Sequence, residues 1–291
     1  MNDIPLFSIL IANYNDGKYL KDALASVERQ TYWNYEVIIV DDCSTDNSKS
    51  ILQELELNPI YHIYYNDRNR GCGYTKRKCV EMSNGDICGF LDADDALTPD
   101  ALDIMVESHI KHNDVSIVYS KYYACDKNLS TNYVSSHQCK IPEGRTFLDY
   151  KRGAISQFAT FKRCKYNVTS GINEQLKIAE DLDLYFKLEE VGKTYFIDKP
   201  LYYYRNGTGN NTSLNENVIK AAYWEIIAKT DACKRRNVNI ETIEIPCIED
   251  IVNSIISVNA NQTKQTREYK LGNYILHPLL ILKKIQYIFC K

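Results

Sequence analysis

The chain has 291 residues, a formal net charge of −3 and 44% hydrophobic residues. Such a length buries one large α/β core with an appendage, or two modest cores, and excludes a small scaffold stapled by disulfides or metal. The near-neutral balance excludes a general attraction to nucleic acid, so neither DNA nor RNA is expected as a partner. Met1-Asn2-Asp3-Ile4-Pro5 passes directly into a strand without the basic start and apolar core of an export signal, which points to the cytoplasm. The ten cysteines are scattered, with no close pair at zinc-knuckle or redox spacing, and read as reduced packing residues.

In chain order, the first 110 residues alternate short apolar runs with amphipathic stretches. Phe7 to Ala12, Glu36 to Val40, Ile60 to Tyr65 and Ile87 to Leu91 are predicted strands. Helices are predicted near 18 to 29, 47 to 56, 73 to 83 and 98 to 110, with Leu20, Leu24 and Val27 at helical spacing. A β-α-β-α alternation of this kind builds a largely parallel sheet covered on both faces, with ligands at the carboxyl ends of its strands. Those ends are polar: Asn13, Tyr14 and Asn15 follow the first, Asp41 and Asp42 the second, and Asp92 to Asp95 the fourth. Asp46, in the run Ser44-Thr45-Asp46, reads as a cap for the helix that follows.

From Ser116 the pattern becomes irregular. A strand at Ser116 to Tyr123, a polar loop through Gln138, an apolar patch at Ile155 to Phe161, a helix near 180 to 191 and a Tyr-rich strand at 201 to 205 are expected. Beyond Leu214, helices are predicted at 216 to 236 and 247 to 258, followed by a basic and apolar tail at 269–291. That tail is too short to span a bilayer, and its composition suits either a membrane surface or self-association.

The run Ile87-Cys88-Gly89-Phe90-Leu91-Asp92-Ala93-Asp94-Asp95 carries an apolar strand straight into three carboxylates. Carboxylates so close repel unless a cation or hydrogen-bonding ligand sits among them, so the junction reads as a hard-metal and ligand site. A merely solvated acidic loop is the alternative.

Taken together, Ala12-Asn13-Tyr14-Asn15, Val40-Asp41-Asp42, Asn69-Arg70-Gly71 with Arg77, Leu91-Asp92-Ala93-Asp94-Asp95, Ala179-Glu180-Asp181 and Tyr203-Tyr204-Arg205 resemble, in content and order, a family 2 glycosyltransferase of the GT-A fold. The resemblance spans residues 5 to about 213. It implies a Rossmann-like, largely parallel mixed sheet with a C-terminal helical extension. Residues 1–110 would form the nucleotide-sugar-binding part, 111–213 the acceptor and catalytic half, and 214–291 the extension. The implied activity is inverting transfer of a sugar from a UDP-sugar to a saccharide or lipid-linked glycan, in assembly of a bacterial surface polysaccharide.

Carried over residue by residue, the resemblance assigns the nucleotide to Ala12, Tyr14, Asp42, Arg77, Asp92 and Arg205. Tyr14 would stack on uracil and Asp42 accept its imide N–H. Asp92 and Asp94 would hold Mn²⁺ or Mg²⁺ on the diphosphate, Asp95 and Glu180 would lie near the sugar, and Asp181 would be the general base. Helix polarity would lower the Asp181 pKa, Asp183 would be a dipole partner and solvated charge, and Lys76 or Lys78 could join Arg77 near the phosphates, although a solvated helix face is the preferred reading for both lysines. One position departs: many relatives have His two residues beyond the Arg, and this chain has Gly207, so Asn210, Asn211 or water would complete the cation's ligands. A nucleotide-sugar binder that has lost turnover, and an aspartyl-phosphate phosphatase, are the competing readings.

Overall fold

The computed structural model describes residues 4–208 and 216–245. The helix expected at 247–258, the tail at 269–291, and Asn210 and Asn211 lie outside those residues. The elements in order are β1 (Phe7–Asn13), α1 (Gly17–Glu28), β2 (Tyr35–Asp41), α2 (Ser48–Gln53), β3 (Tyr61–Tyr65), α3 (Cys72–Met82) and β4 (Ile87–Phe90). There follow β5 (Ala96–Leu97), α4 (Ala101–Lys111), β6 (Val115–Cys125), β7 (Thr131–Val134), β8 (Ala159–Lys162), α5 (Arg163–Tyr166), α6 (Glu180–Glu189), β9 (Lys193–Arg205) and α7 (Glu216–Arg236).

The strands form one mixed sheet in the order β3-β2-β1-β4-β8-β6-β9-β5, with β7 paired to β6. β3, β2, β1 and β4 are parallel, as continuous Ile and Val runs buried on both faces require. β8 then pairs antiparallel to both β4 and β6, while β6 and β9 run parallel. The long β9 was legible only over its tyrosines, because none of its first eight residues is buried. α1 buries Leu20, Ala23, Leu24 and Val27 against one face. On the other face the central strands, α3, α6 and α7 share a second core that includes Leu10, Val40, Phe161, Leu184, Phe186, Ala228 and Ala232.

Two connections position the site. β5 pairs antiparallel with β9, Ala96 opposite Tyr203 and Leu97 opposite Tyr202, so the loop leaving β4 is pinned against the far edge of the sheet. At the opposite end, Glu36 is buried and accepts from Ser8 Oγ at 2.6 Å and the Asn84 N–H at 2.5 Å. Burial pushes this carboxyl up, but those hydrogen bonds outweigh it and hold the pKa below its ordinary value. Its stabilisation is therefore present above the ordinary carboxylate range and lost as pH falls through it. Glu36→Ala is expected to cost about 2–3 kcal/mol at pH 7 by chemical denaturation, less the closer the pH comes to 3. A deficit independent of pH would contradict that assignment.

Candidate active site

The carboxyl ends of β1, β2 and β4, with the starts of α3 and α6, enclose a cavity of about 380 Å³. Ala12, Tyr14, Asp42, Asp92, Asp94, Glu180 and Asp181 all line it. Below the rim, Asp41 is structural: its carboxylate accepts from Asn13 Nδ2 at 2.6 Å and from the Ser44 N–H at 2.9 Å. Asp46 accepts from the Gly17 and Ser48 N–H groups, each at 2.9 Å, and so serves the first residue of two helices rather than one.

Asp42 is buried in the wall. Its Oδ1 accepts from Asn66 Nδ2 and the Arg70 N–H, and its Oδ2 from the Gly71 N–H, all at 2.8 Å. Gly71 takes φ +90°, a left-handed conformation that favours glycine and aims its N–H back at β2. A carboxylate has about four acceptor sites, so Oδ2 keeps one for a ligand N–H. Tyr14 is 43% exposed at the mouth, with its ring open for stacking.

The three acids after β4 divide by alternation. Asp92 and Asp94 are half-buried and line the cavity with the buried Ala93 between them, while Asp95 is buried and absent from the lining. The Asp92 N–H donates to the Tyr202 hydroxyl at 3.1 Å, and Gln157 Nε2 reaches Asp92 Oδ2 at 3.4 Å. Burial first, then the Asp92 carboxylate, push the Asp94 pKa above its ordinary value, and the Thr208 hydroxyl is hydrogen-bonded to Asp94. Asp95, expected near the sugar, is 1% exposed and accepts the Arg205 N–H at 2.7 Å. Burial, then Asp94 and Asp92, push its carboxyl well above the ordinary range. It supports the loop from beneath and does not line the cavity.

Two basic residues expected at the nucleotide lie elsewhere. Arg77 points away from the cavity, with Nε 2.9 Å from Glu81 and 3.3 Å from Glu174. Its neighbour Lys76, expected to be solvated, is buried in the cavity wall, with Nζ 2.9 Å from Glu180 Oε1 and 3.6 Å from Asp92 Oδ1. One residue along a helix is about 100°, which separates the inward from the outward position. The signal was available: Cys72, Lys76, Cys79 and Val80 fall at i, i+4, i+7 and i+8, so the lysine belongs to the apolar stripe. Lys78 likewise turns inward in part, donating to Asn66 Oδ1 at 2.9 Å.

Arg205 is 2% exposed, and each of its three guanidinium nitrogens donates a hydrogen bond. Its guanidinium donates to the Asp94 carbonyl at 2.5 Å, the Lys127 carbonyl at 2.6 Å and Asp22 Oδ2 at 2.7 Å, and lies 4.5 Å from the centre of the Tyr19 ring. It clamps the acidic loop and does not line the cavity. Because strand residues alternate, Tyr204 is the β9 residue that lines the cavity.

Glu180 and Asp181 open α6. Glu180 is buried: desolvation pushes its carboxyl up, but the Lys76 ammonium outweighs it and holds the pKa below its ordinary value. Asp181 goes the other way. Burial, then Glu180, push it up to about 6, against the expectation of a lowered value. Its contact with the Leu182 N–H at 2.7 Å and the Lys76 charge oppose the rise without cancelling it. Asp183, expected to be solvated, is buried and pairs with Lys187 at 2.6 Å. Cys72, Gln157 and Lys177 also line the cavity and had no sequence motif to mark them, whereas Tyr204 lay within the Tyr203-Tyr204-Arg205 motif without a role of its own.

Asp92 and Asp94 offer hard oxygen donors whose mutual repulsion a divalent cation relieves, and the residues fit such an ion. Among the described residues no group of three or more His, Cys, Asp and Glu side chains could hold a metal alone, so water and ligand oxygens must supply the remaining positions. Gly207 contributes no side chain there. Among the described residues no helix is long and apolar enough to cross a membrane.

Residues 8–170 match the family model described as glycosyl transferase family 2. Over 231 residues the chain is 32% identical to a chondroitin synthase of Escherichia coli, an alignment that covers 77% of this chain and 32% of that protein. The chain spans a third or less of the length of its first curated relatives. Among solved structures, Staphylococcus aureus TarS 1-349 in complex with UDP-GlcNAc superposes with a TM-score of 0.62 at 19% identity, covering 91% of this chain and 76% of that one. The mannosyltransferase PcManGT of Pyrobaculum calidifontis, in complex with GDP-Man and Mn²⁺, superposes with a TM-score of 0.61 at 14% identity, covering 100% and 82%. These two likenesses establish the fold.

Proposed function

The chain belongs to glycosyl transferase family 2, and on that premise we propose that it moves a sugar from a UDP-sugar to a saccharide or lipid-linked glycan, with inversion, in bacterial surface polysaccharide synthesis. The observation that carries this reading is the presence of a nucleotide-sized recess, the paired carboxylates Asp92 and Asp94 and a separate half-buried carboxylate, Asp181, in one cavity. Tyr14 stacks on the base, and the spare acceptor site of Asp42 takes the uracil imide N–H, a donor that cytosine lacks. Lys76, already facing Asp92, supplies positive charge where the phosphates lie.

Asp92 and Asp94 would hold Mn²⁺ or Mg²⁺, which when bound neutralises charge on the departing diphosphate. Asp181 takes the proton of the acceptor hydroxyl as that oxygen attacks the anomeric carbon from the face opposite the diphosphate. With its pKa near 6 it is mainly ionised at pH 7, yet basic enough to accept a proton. Glu180 keeps Lys76 in place and is not itself a proton carrier in this scheme.

Calorimetry tests the donor half. UDP should bind the full chain in the presence of Mn²⁺, and Asp94→Asn should weaken that binding at least about tenfold while leaving the thermal midpoint unchanged or higher, since a carboxylate raised by burial is removed. Equal affinity of wild type and variant, with or without Mn²⁺, would remove Asp94 from the cation site. Binding of UDP without transfer or slow hydrolysis of any UDP-sugar would instead favour the binder that has lost turnover.

A further inference from the structure

A second cavity, of about 210 Å³, lies on the other side of Asp181. Ile178, Ala179 and Asp181 line both cavities, so the carboxylate assigned as base stands at their junction. Leu182 and Phe186 continue the second lining along α6, and the rest comes from parts of the chain that do not touch the first cavity: the segment bearing Phe147, Tyr150, Arg152 and Ile155, and α7 with Ala221, Glu225 and Lys229.

Its walls are fixed. Phe147 packs against Phe186 of α6 with ring centres 5.3 Å apart, and its N–H donates to Glu189 at 2.6 Å. Arg236 of α7 reaches Glu189 at 2.9 Å and the Phe186 carbonyl at 2.6 Å, while Arg235 reaches Glu190 at 3.1 Å. α7 is therefore held to α6 at one end, and the space between them is a formed recess.

The charges inside it are matched. Glu225, buried, lies 3.0 Å from Lys229 Nζ and 2.8 Å from Arg152 Nη2. Both cations pair with Glu225, Arg152 from the exposed rim, and Asp181 adds a second carboxylate, so the lining carries two charges of each sign and no net charge to draw an anionic guest. The aromatic side chains Phe147 and Tyr150 offer apolar surface to C–H groups, and the ion-paired side chains retain hydrogen-bonding capacity toward hydroxyls. That combination suits an uncharged sugar ring, whereas a uronate would set a carboxylate beside Glu225 and Asp181.

We propose that this recess is the acceptor subsite, that it takes one uncharged sugar residue, and that it delivers that residue's reacting hydroxyl to Asp181. The proposal rests on the glycosyl-transfer reading. In it α7 and the 147–152 loop read the acceptor, while the first cavity reads the donor.

Saturation-transfer NMR on the full chain with UDP and Mn²⁺ tests it, using the methyl β-glycosides of GlcNAc, GalNAc, glucose and glucuronate as probes. At least one neutral glycoside should give a signal that exceeds that of the glucuronate. Ala221→Trp, which fills the recess from α7, should abolish that signal while calorimetric UDP binding stays unaltered. Tyr150→Ala, on the loop, gives the same reading should the tryptophan variant fail to fold. No signal from any neutral glycoside, a preference for glucuronate, or a signal that survives both substitutions would overturn the proposal. Failure of UDP to bind would instead sink the donor assignment, and the glycoside signals, recorded also without UDP, separate the two failures.

Discussion

Asp181→Asn is expected to lower the transfer rate by about 10²–10⁴-fold while UDP binding remains. The substitution removes the proton acceptor and keeps the shape, so the donor cavity is unchanged. The fold should not suffer, because the wild-type carboxylate is held in a desolvated position beside Glu180 that pushes its pKa up to about 6. A carboxyl raised on folding favours the folded state at low pH and opposes it once pH passes the folded pKa. At pH 8 the neutral variant should therefore be at least as stable as the wild type, with the difference closing as pH falls below about 5. The wild-type turnover should rise through pH 6 and level off above it, since only the ionised form accepts the proton. A variant that keeps more than a tenth of the wild-type rate, or that unfolds instead, would return Asp181 to a structural role.

Lys76→Met is expected to have the largest effect on stability, on the order of 3–5 kcal/mol. It removes the cation that lies 2.9 Å from Glu180 in the buried wall and leaves that carboxylate uncompensated. The same reasoning makes the loss reversible: Lys76→Met with Glu180→Gln replaces the pair by neutral groups of similar shape and should recover most of the stability. Equilibrium denaturation of the two variants and the wild type measures this. A single variant within about 1 kcal/mol of the wild type, or a double variant no better than the single, would contradict the pairing. The double variant should still bind UDP poorly, because the ammonium that faces Asp92 is gone. That residual defect separates the lysine's part in the fold from its part at the phosphates.

Much of the fold was legible. The β-α alternation up to residue 111, the strands at 7–13, 35–41, 61–65 and 87–90, and the helix at 216–236 follow from apolar periodicity, within a few residues at the ends. The second half was less so. β8 is a four-residue strand, and β5 has two residues whose only reason to be extended is their pairing with β9. β5 carries no local signal, its partner being more than a hundred residues away, and β8 showed only as part of the apolar patch at Ile155 to Phe161, its partner in β4 lying about seventy residues away.

At the site, sequence order located the loops and not the orientation of side chains within them. Arg77 and Arg205 were named for their charge, yet each is one residue out of phase with the cavity: Lys76 and Tyr204 occupy the facing positions. The pKa of Asp181 was misread in the same way. Helix polarity is a local effect and was visible in the order Glu180-Asp181, whereas burial against Glu180 and Lys76 exists only once α3 and α6 meet.

The sequence by itself determined the parallel half of the sheet, the strand-end loops that carry polar residues, and the family to which the chain belongs, because periodicity and motif order are written along the backbone. Tertiary structure alone decided which of two adjacent residues enters the cavity, which carboxylates are neutralised by a buried cation and which are raised by burial, and that a second recess adjoins Asp181. Those properties depend on helix phase, on desolvation and on contacts between segments far apart in the chain, none of which a linear pattern specifies.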